Sequence, residues 1–498
     1  MLSFIHRQIR RILTLLLVVF IIAFLVRGWD MRRSPPLELW HTTELADMSA
    51  ADIDRARWDE YLQAEAALFD KVASEVVAAT RPRERTHFNR YSPTSPVYPG
   101  GFEKDWNRSF VLLPDGEPVG AVVLLHGLTD APYSLRHVGA FYRDRGFAVV
   151  GIRLPGHGTV PGSLQVTRIP QWQAAVRLAV REARRLAGDD APLHMVGYSN
   201  GGALALDYAV TAASGGELAR PDQLVLLSPM VGITPAARFT WLAGVPAIIP
   251  AFGQSAWLTI LPEFNPFKYN SMPVAAGQQS FDMTQIVKNG LRKLDEEGRM
   301  GELPPILTFQ SVFDFTVSTP DVIRELYARL PANGSELVLL DADLNIDNRF
   351  GELVNMDARA EVLALLPPAP RLFRTVLVTN RTDRTSDVIA RITEAGVSES
   401  TDAETGLSYP PDVYSLSHVG VPFPLTDGLY GLTPDPDDDF GIRTSVVNTI
   451  GEVNTFVLTV DPILRMTSRM QSNPFFPLII ERIGAVIEPS REPAREPS

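Results

Sequence analysis

The chain has 498 residues, 45% of them hydrophobic, with a formal net charge of −12 at pH 7 and no cysteine. That apolar content fills at least one large core, excludes a disordered protein and allows two to three domain-sized units. The acidic balance argues against nucleic acid as a partner and against broad adhesion to anionic lipid, and no thiol is present to carry a lipid anchor.

The first predicted element is ILTLLLVVFIIAFLV, from Ile12 to Val26, flanked by Arg7, Arg10 and Arg11 on one side and Arg27, Trp29, Arg32 and Arg33 on the other. A helix of that length falls short of a ~30 Å hydrocarbon core, but Leu2 to Ile9 and Trp29 extend it while the arginines reach the headgroups. Residues 1–33 are therefore expected to form an N-terminal, single-pass transmembrane anchor contacting membrane lipid. The rival reading is a cleaved signal peptide, against which no small-residue cleavage site follows the run. Equal arginine flanks give the positive-inside rule little to act on, and a bacterial, periplasmic catalytic domain is the expected placement.

Residues 34–108 form a helical connecting region. Ser49 and Asp52 make a capping-box-like start, and Ile53, Trp58, Leu62, Phe69, Val72 and Val76 recur at near-helical spacing toward Thr80. The spacing predicts about seven turns, packed on the domain that follows rather than standing free as a stalk. The proline-rich stretch RYSPTSPVYPGG, Arg90 to Gly101, ends it.

Apolar strands then alternate with helices. AVVLL (Ala121 to Leu125), FAVVGI (Phe147 to Ile152), LHMVG (Leu193 to Gly197), LVLLS (Leu224 to Ser228), ILTF (Ile306 to Phe309) and ELVLL (Glu336 to Leu340) read as strands. Ser134 to Arg145, Pro170 to Ala187, Gly201 to Ala213 and Pro320 to Leu330 read as helices. The rhythm predicts an α/β fold, a mostly parallel twisted sheet with helices on both faces. A leading hairpin through Asp115 and Gly116 is expected to add an antiparallel pair. The core spans 109–229 and 305–486, interrupted by a lid or cap at 230–304 and an insertion at about 342–411, with a disordered tail at 487–498.

HMVGYSNGG, His194 to Gly202, joins a strand to a helix through Gly197, Ser199 and Gly201, a G-x-S-x-G elbow that exposes a hydroxyl above the sheet at a helix N-terminus. Such a serine needs a base. In this architecture the order is serine, acid, histidine, and His418 is the one histidine after Ser199. Asp314, past the strand ILTF, is the expected acid, with Asp341 and Asp343 as contenders. HGLTD, His126 to Asp130, supplies the second oxyanion element, so the backbone amides of Leu128 and Asn200 are the expected donors. His126 and His157 read as structural turn residues.

HGLTD, RLPGHG, GYSNGG, SVFDFTV and LSHVGVPFP, in that order, resemble the α/β-hydrolase superfamily in its monoacylglycerol lipase and serine aminopeptidase-like branch, over about Phe110 to Leu432. The resemblance implies Ser199 as nucleophile, Asp314 as acid, His418 as base and Leu128 with Asn200 as oxyanion amides. It also implies a lid between Met230 and Pro304. There Trp241, Ile248, Ile249, Phe252, Trp257, Leu258 and Phe264 serve either to line an acyl pocket or to pack the lid on the body; Trp241, Trp257 and Phe264 are the substrate-contact candidates. The 103 residues between Asp314 and His418 exceed what one strand and helix need, and FRTVLVTN, Phe373 to Asn380, reads as an extra strand. The acidic loop at Asp435 to Phe440 lacks the spaced ligands of a calcium site and reads as solvated.

The expected function is hydrolysis of carboxylic esters, lipid-like or short acyl, through an acyl-enzyme and without metal or cofactor. Amide or thioester hydrolysis, or acyl transfer, is the alternative on the same triad. A non-catalytic binding or scaffold protein of this fold is the alternative outside chemistry.

Overall fold

The computed structural model describes residues 35–233, 244–340 and 357–487, apart from 313, 315, 383–384, 410–414, 417 and 443–468, together with isolated positions between 6 and 29 and residue 242. Twelve of the fourteen strands among the described residues build the main sheet and the segment packed beside it. They are β1 (Phe110–Leu112), β2 (Gly120–Leu125), β3 (Phe147–Ile152), β4 (Leu193–Tyr198), β5 (Gln223–Leu227), β6 (Trp257–Thr259), β7 (Met272–Pro273), β8 (Ile306–Ser311), β9 (Glu336–Leu340), β10 (Arg374–Asn380), β11 (Asp387–Thr393) and β12 (Ser400–Ser408). Ten form one sheet in the order β1-β3-β2-β4-β5-β8-β9-β10-β11-β12, while β6 and β7 pair separately. From β3 through β10 every neighbouring pair is parallel. This is the α/β-hydrolase fold, with its mostly parallel central sheet.

The central strands are continuous apolar runs because both faces are covered. Alternate side chains divide between two cores. Val123, Leu125, Val150, Ile152, Met195, Leu224 and Leu226 meet the helices Ile169–Ala187, Asn200–Ala213 and Val274–Glu296. Val122, Leu124, Val149, Val196, Val225 and Leu227 meet Arg136–Arg143 and a C-terminal helix, Phe476–Ile487, which lies inside the expected second part of the core.

Two expectations need correction and a third, the extra strand, is met. The leading segments do not form a hairpin: β1 is antiparallel but pairs with β3, because β3 and β4 already occupy both edges of β2. The Pro320–Leu330 helix is three short pieces with a π-helical middle, Val322–Leu326. The strand in FRTVLVTN is β10, which extends the parallel sheet beside β9 and is followed by antiparallel β11 and β12.

The connecting region packs on the catalytic domain. Its helix starts where expected, the Ser49 hydroxyl accepting from the Asp52 amide, but it breaks at Ala56 and Arg57, whose backbones are extended, and resumes as Trp58–Lys71 with a π turn to Val77. A buried charge cluster docks it. Arg153, directly after β3, pairs with Asp47 and with Glu65 (3.0 Å), and Tyr61 donates to the Arg153 carbonyl at 2.7 Å. Arg90 makes a second joint: buried, it donates to the Asn107 side chain at 2.9 Å and to the carbonyls of Gly158 and Asn265. One guanidinium thus ties the proline-rich stretch to the RLPGHG turn and to the segment after β6.

No helix among the described residues is long and apolar enough to cross a membrane. Most of the expected anchor, Ile12 to Val26, lies outside the described residues, as does the tail beyond residue 487, so the structure does not support a transmembrane anchor.

Candidate active site

The elbow is shaped by the approach of backbones. Ser199 has φ 53° and ψ −115°, a left-handed conformation that costs a non-glycine residue of order 1–3 kcal/mol and is held here by its surroundings. Its amide donates to the Leu227 carbonyl at 3.0 Å, and its carbonyl accepts from the amides of Gly202, Ala203 and Met230. The flanking glycines are needed for contact rather than flexibility. A Cβ on Gly197 would meet the Gly201 carbonyl at 2.5 Å, and one on Gly201 would overlap the Leu125 carbonyl at the end of β2. The helix Asn200–Ala213 is thereby pressed against β2 and β4, its first amides opening toward the serine.

Asp314 follows β8, and its side chain is fully buried. Its Oδ2 lies 2.9 Å from His418 Nδ1, while Oδ1 accepts the amides of Thr316 and Val317, both at 2.9 Å. Burial alone would raise its pKa, but His418 and those amides outweigh burial and hold it below the ordinary aspartate value. An ionised Asp314 makes His418 Nδ1 the donor and leaves Nε2 as the acceptor. The His418 ring stacks on Tyr198 with centroids 5.4 Å apart, one residue from Ser199. The structure therefore brings Ser199, Asp314 and His418 to one end of the sheet. The contenders Asp341 and Asp343 lie outside the described residues.

The loop after β2 closes the other side. A Cβ on Gly127 would lie 3.0 Å from the Tyr198 ring and 3.3 Å from the Ser199 Cβ, so HGLTD runs directly beside Ser199. Among the described residues, neither the Leu128 nor the Asn200 amide donates to a protein acceptor. His126 holds the loop rather than reacting: the Leu154 amide donates to its Nε2 at 3.0 Å, so its Nδ1 is the donor to the Gly127 carbonyl at 2.8 Å. Burial drives its pKa well below the ordinary value and keeps it neutral.

Several contributors escape sequence reasoning. Gln310 donates to Asp314 Oδ2 at 3.2 Å and to the Thr319 hydroxyl at 2.9 Å, fixing the carboxylate from the far side. Its place in β8, four residues before Asp314, is the only signal. The Tyr269 amide donates to the Thr129 carbonyl at 2.7 Å, tying the segment before β7 to the oxyanion loop. Asp130, buried in that loop, is raised to about 6 by burial, with Lys268 and His418 opposing.

Of the substrate-contact candidates, Trp241 lies outside the described residues. Trp257 is fully buried in β6, edge-on to His41 at 4.9 Å, which places it in the packing between the lid segment and the connecting region. Phe264 is half-buried beyond β6. What does approach the HGLTD loop is Leu258, packed with Leu128 on Leu164, Tyr269, Met272 and Ala276.

The acidic loop is less solvated than expected, since Asp438 pairs with Arg136 and accepts from the Gly428 amide. His137, Asp427 and Asp438 bring possible metal-ligand atoms within 4.8 Å of one another. The Arg136 guanidinium is bonded to both carboxylates and supplies the positive charge there.

Residues 116–342 match the family model described as serine aminopeptidase, S33. That segment is an α/β-hydrolase domain. Over 59 residues the chain is 41% identical to the thermostable monoacylglycerol lipase of Bacillus sp. (strain H-257), a match covering 12% of this chain and 23% of that protein. The chain thus spans under a quarter of that relative's length. Among solved structures, a monoacylglycerol lipase of Paleococcus ferrophilus is 18% identical with a TM-score of 0.35, over 52% of this chain and 98% of that one. A soluble variant of the monoglyceride lipase of Saccharomyces cerevisiae is 16% identical with a TM-score of 0.36, over 46% and 81%.

Proposed function

We propose that this chain hydrolyses carboxylic esters through an acyl-enzyme on Ser199. The observation that carries the reading is the Asp314–His418 bond set beside a serine on a left-handed elbow. His418 Nε2 takes the Ser199 proton as Oγ attacks the acyl carbonyl carbon, and Asp314 stabilises the imidazolium without itself taking the proton. The new oxyanion accepts from the Leu128 and Asn200 amides; losing one such donor typically costs about 10²- to 10³-fold in turnover. The imidazolium then protonates the departing alcohol, and water activated by the same nitrogen releases the acid.

The apolar cluster at Leu128 supports an acyl chain as the group delivered there, so lipid-like or medium acyl esters fit best, with Trp241 and Phe264 as further contacts on the lid. The likeness to a monoacylglycerol lipase points the same way. The family model's own description names an aminopeptidase, which makes amide hydrolysis the second reading. Residues 1–33 are read as a membrane anchor, with a periplasmic domain behind it, on their sequence alone.

A matched panel of p-nitrophenyl esters of rising acyl length and the corresponding anilides tests the assignment. The proposal requires ester turnover with an optimum above acetyl and much slower anilide turnover. Anilide preference moves the chain to the second reading, and turnover of neither series leaves a non-catalytic binding protein.

A further inference from the structure

The histidine candidate sits on a loop, 418–442, and something must hold that loop over the serine. Asp427, nine residues after His418, is fully buried and accepts five groups. Two come from its own loop, the amides of Leu429 (3.0 Å) and Tyr430 (2.8 Å). Three come from one stretch of chain that leaves the oxyanion loop: the Tyr133 hydroxyl (2.9 Å), Arg136 Nη2 (3.0 Å) and His137 Nε2 (2.9 Å). Asp438, from the far end of the loop, also binds Arg136. Rings fill the space between: Tyr133 stacks on Phe267 at 4.4 Å, Phe423 stacks on Tyr430 at 4.3 Å, and both Phe423 and Tyr430 lie within 6.5 Å of Tyr133.

Tyr133 follows Leu128 by five residues, and Phe423 follows His418 by five. The two arms that must meet at Ser199, one carrying the oxyanion amides and one the base, are thus fastened to a single carboxylate. Resting on the triad reading above, we infer that Asp427 is a positioning residue for His418, setting the height of the imidazole against the oxyanion loop. A buried carboxylate that receives a guanidinium, an imidazole N–H and a phenol is specific in direction, because its lone pairs are directional and each unmade bond leaves part of a buried charge uncompensated. A hydrophobic patch alone would fix depth but not register.

Asp427→Asn in the full chain is the test, because the amide keeps the shape while turning one acceptor into a donor facing Arg136. Steady-state kinetics on a p-nitrophenyl ester and the rate of fluorophosphonate labelling of Ser199 are both read, per folded molecule. Misplacing a reacting group by ~1 Å costs about 10²-fold, so kcat and the labelling rate are expected to fall together by about 10- to 100-fold, with KM within about threefold. Tyr133→Phe, which removes one of the five donors without changing charge, should show the same pattern at a smaller size, kcat and the labelling rate falling together by about 3- to 10-fold. Folded Asp427→Asn with kcat and labelling within about twofold of wild type overturns the inference; if that variant does not fold, wild-type rates in Tyr133→Phe overturn it instead. His418→Ala separates the two levels. If it keeps full kcat the triad reading itself fails, whereas an inactive His418→Ala beside an unimpaired Asp427→Asn sinks the positioning role alone.

Discussion

His418 Nδ1 lies 2.9 Å from Asp314 Oδ2, although 104 positions separate the two residues in the chain. Four strands of the main sheet, β9 to β12, intervene, so the bond is made by the fold and not by neighbourhood. Asp314→Asn should keep the site's shape while allowing the amide to donate, which favours the wrong imidazole tautomer. A fall in kcat of about 10⁴-fold is expected, with circular dichroism unchanged. A folded variant within tenfold of wild type would remove Asp314 from the triad.

Gly201→Ala probes the elbow. The added methyl collides with the Leu125 carbonyl, backbone that cannot swing aside as a side chain would. Overpacking of this kind costs about 1–3 kcal/mol, and the strain falls on the turn that holds Ser199. Urea denaturation should show the loss, accompanied by slower probe labelling at equal folded fraction. Undiminished stability and labelling would mean that helix and strand are not so closely pressed.

Arg153→Met tests how the connecting region is held. The substitution leaves Asp47 and Glu65 buried without their shared cation, and breaking one side of a buried ion cluster costs about 3–5 kcal/mol. The denaturation midpoint should drop accordingly, and limited proteolysis should cut between residues 43 and 80 before it cuts the core. An unfolding free energy within about 0.5 kcal/mol of wild type is the contrary result, the range typical of surface changes.

Acid stability carries its own signature. His41, His157 and His194 are each lowered to about 4, with burial the leading cause. Their folded values lie below the unfolded one, so each stays neutral in the fold and takes up a proton on unfolding. The contribution is complete above pH 6.5 and is lost as pH falls from 6.5 toward 4, by about 1.4 kcal/mol per pH unit for each proton. Asp130, raised to about 6 by burial, works in the opposite sense, stabilising at low pH and losing that contribution as pH rises from about 4 through 6. Melting temperatures across this window should therefore depend less steeply on pH in His41→Gln than in wild type. An unchanged slope would show that His41 is not held neutral.

Ser199 and its glycines were legible because they are local: a strand, a tight turn and a helix fix them within ten residues. The sheet was legible for the same reason, its strands being unbroken apolar runs. The β1 pairing was not, since DG between two strands signals a hairpin whether or not the neighbouring edge is free. Asp427, Arg136 and Arg153 were hidden in a different way. Each is a charged residue whose burial depends on partners tens to hundreds of positions away, and a sequence read locally treats such residues as solvated surface. Trp257 failed in the reverse sense, because an aromatic residue in a lid serves packing as readily as substrate.

The most direct measurement is intact-mass and peptide mapping after treatment with a fluorophosphonate probe. The account predicts one adduct per chain, located on Ser199, absent from Ser199→Ala and greatly slowed in His418→Ala. No adduct on the folded wild-type chain, or the same adduct yield in Ser199→Ala, would contradict it.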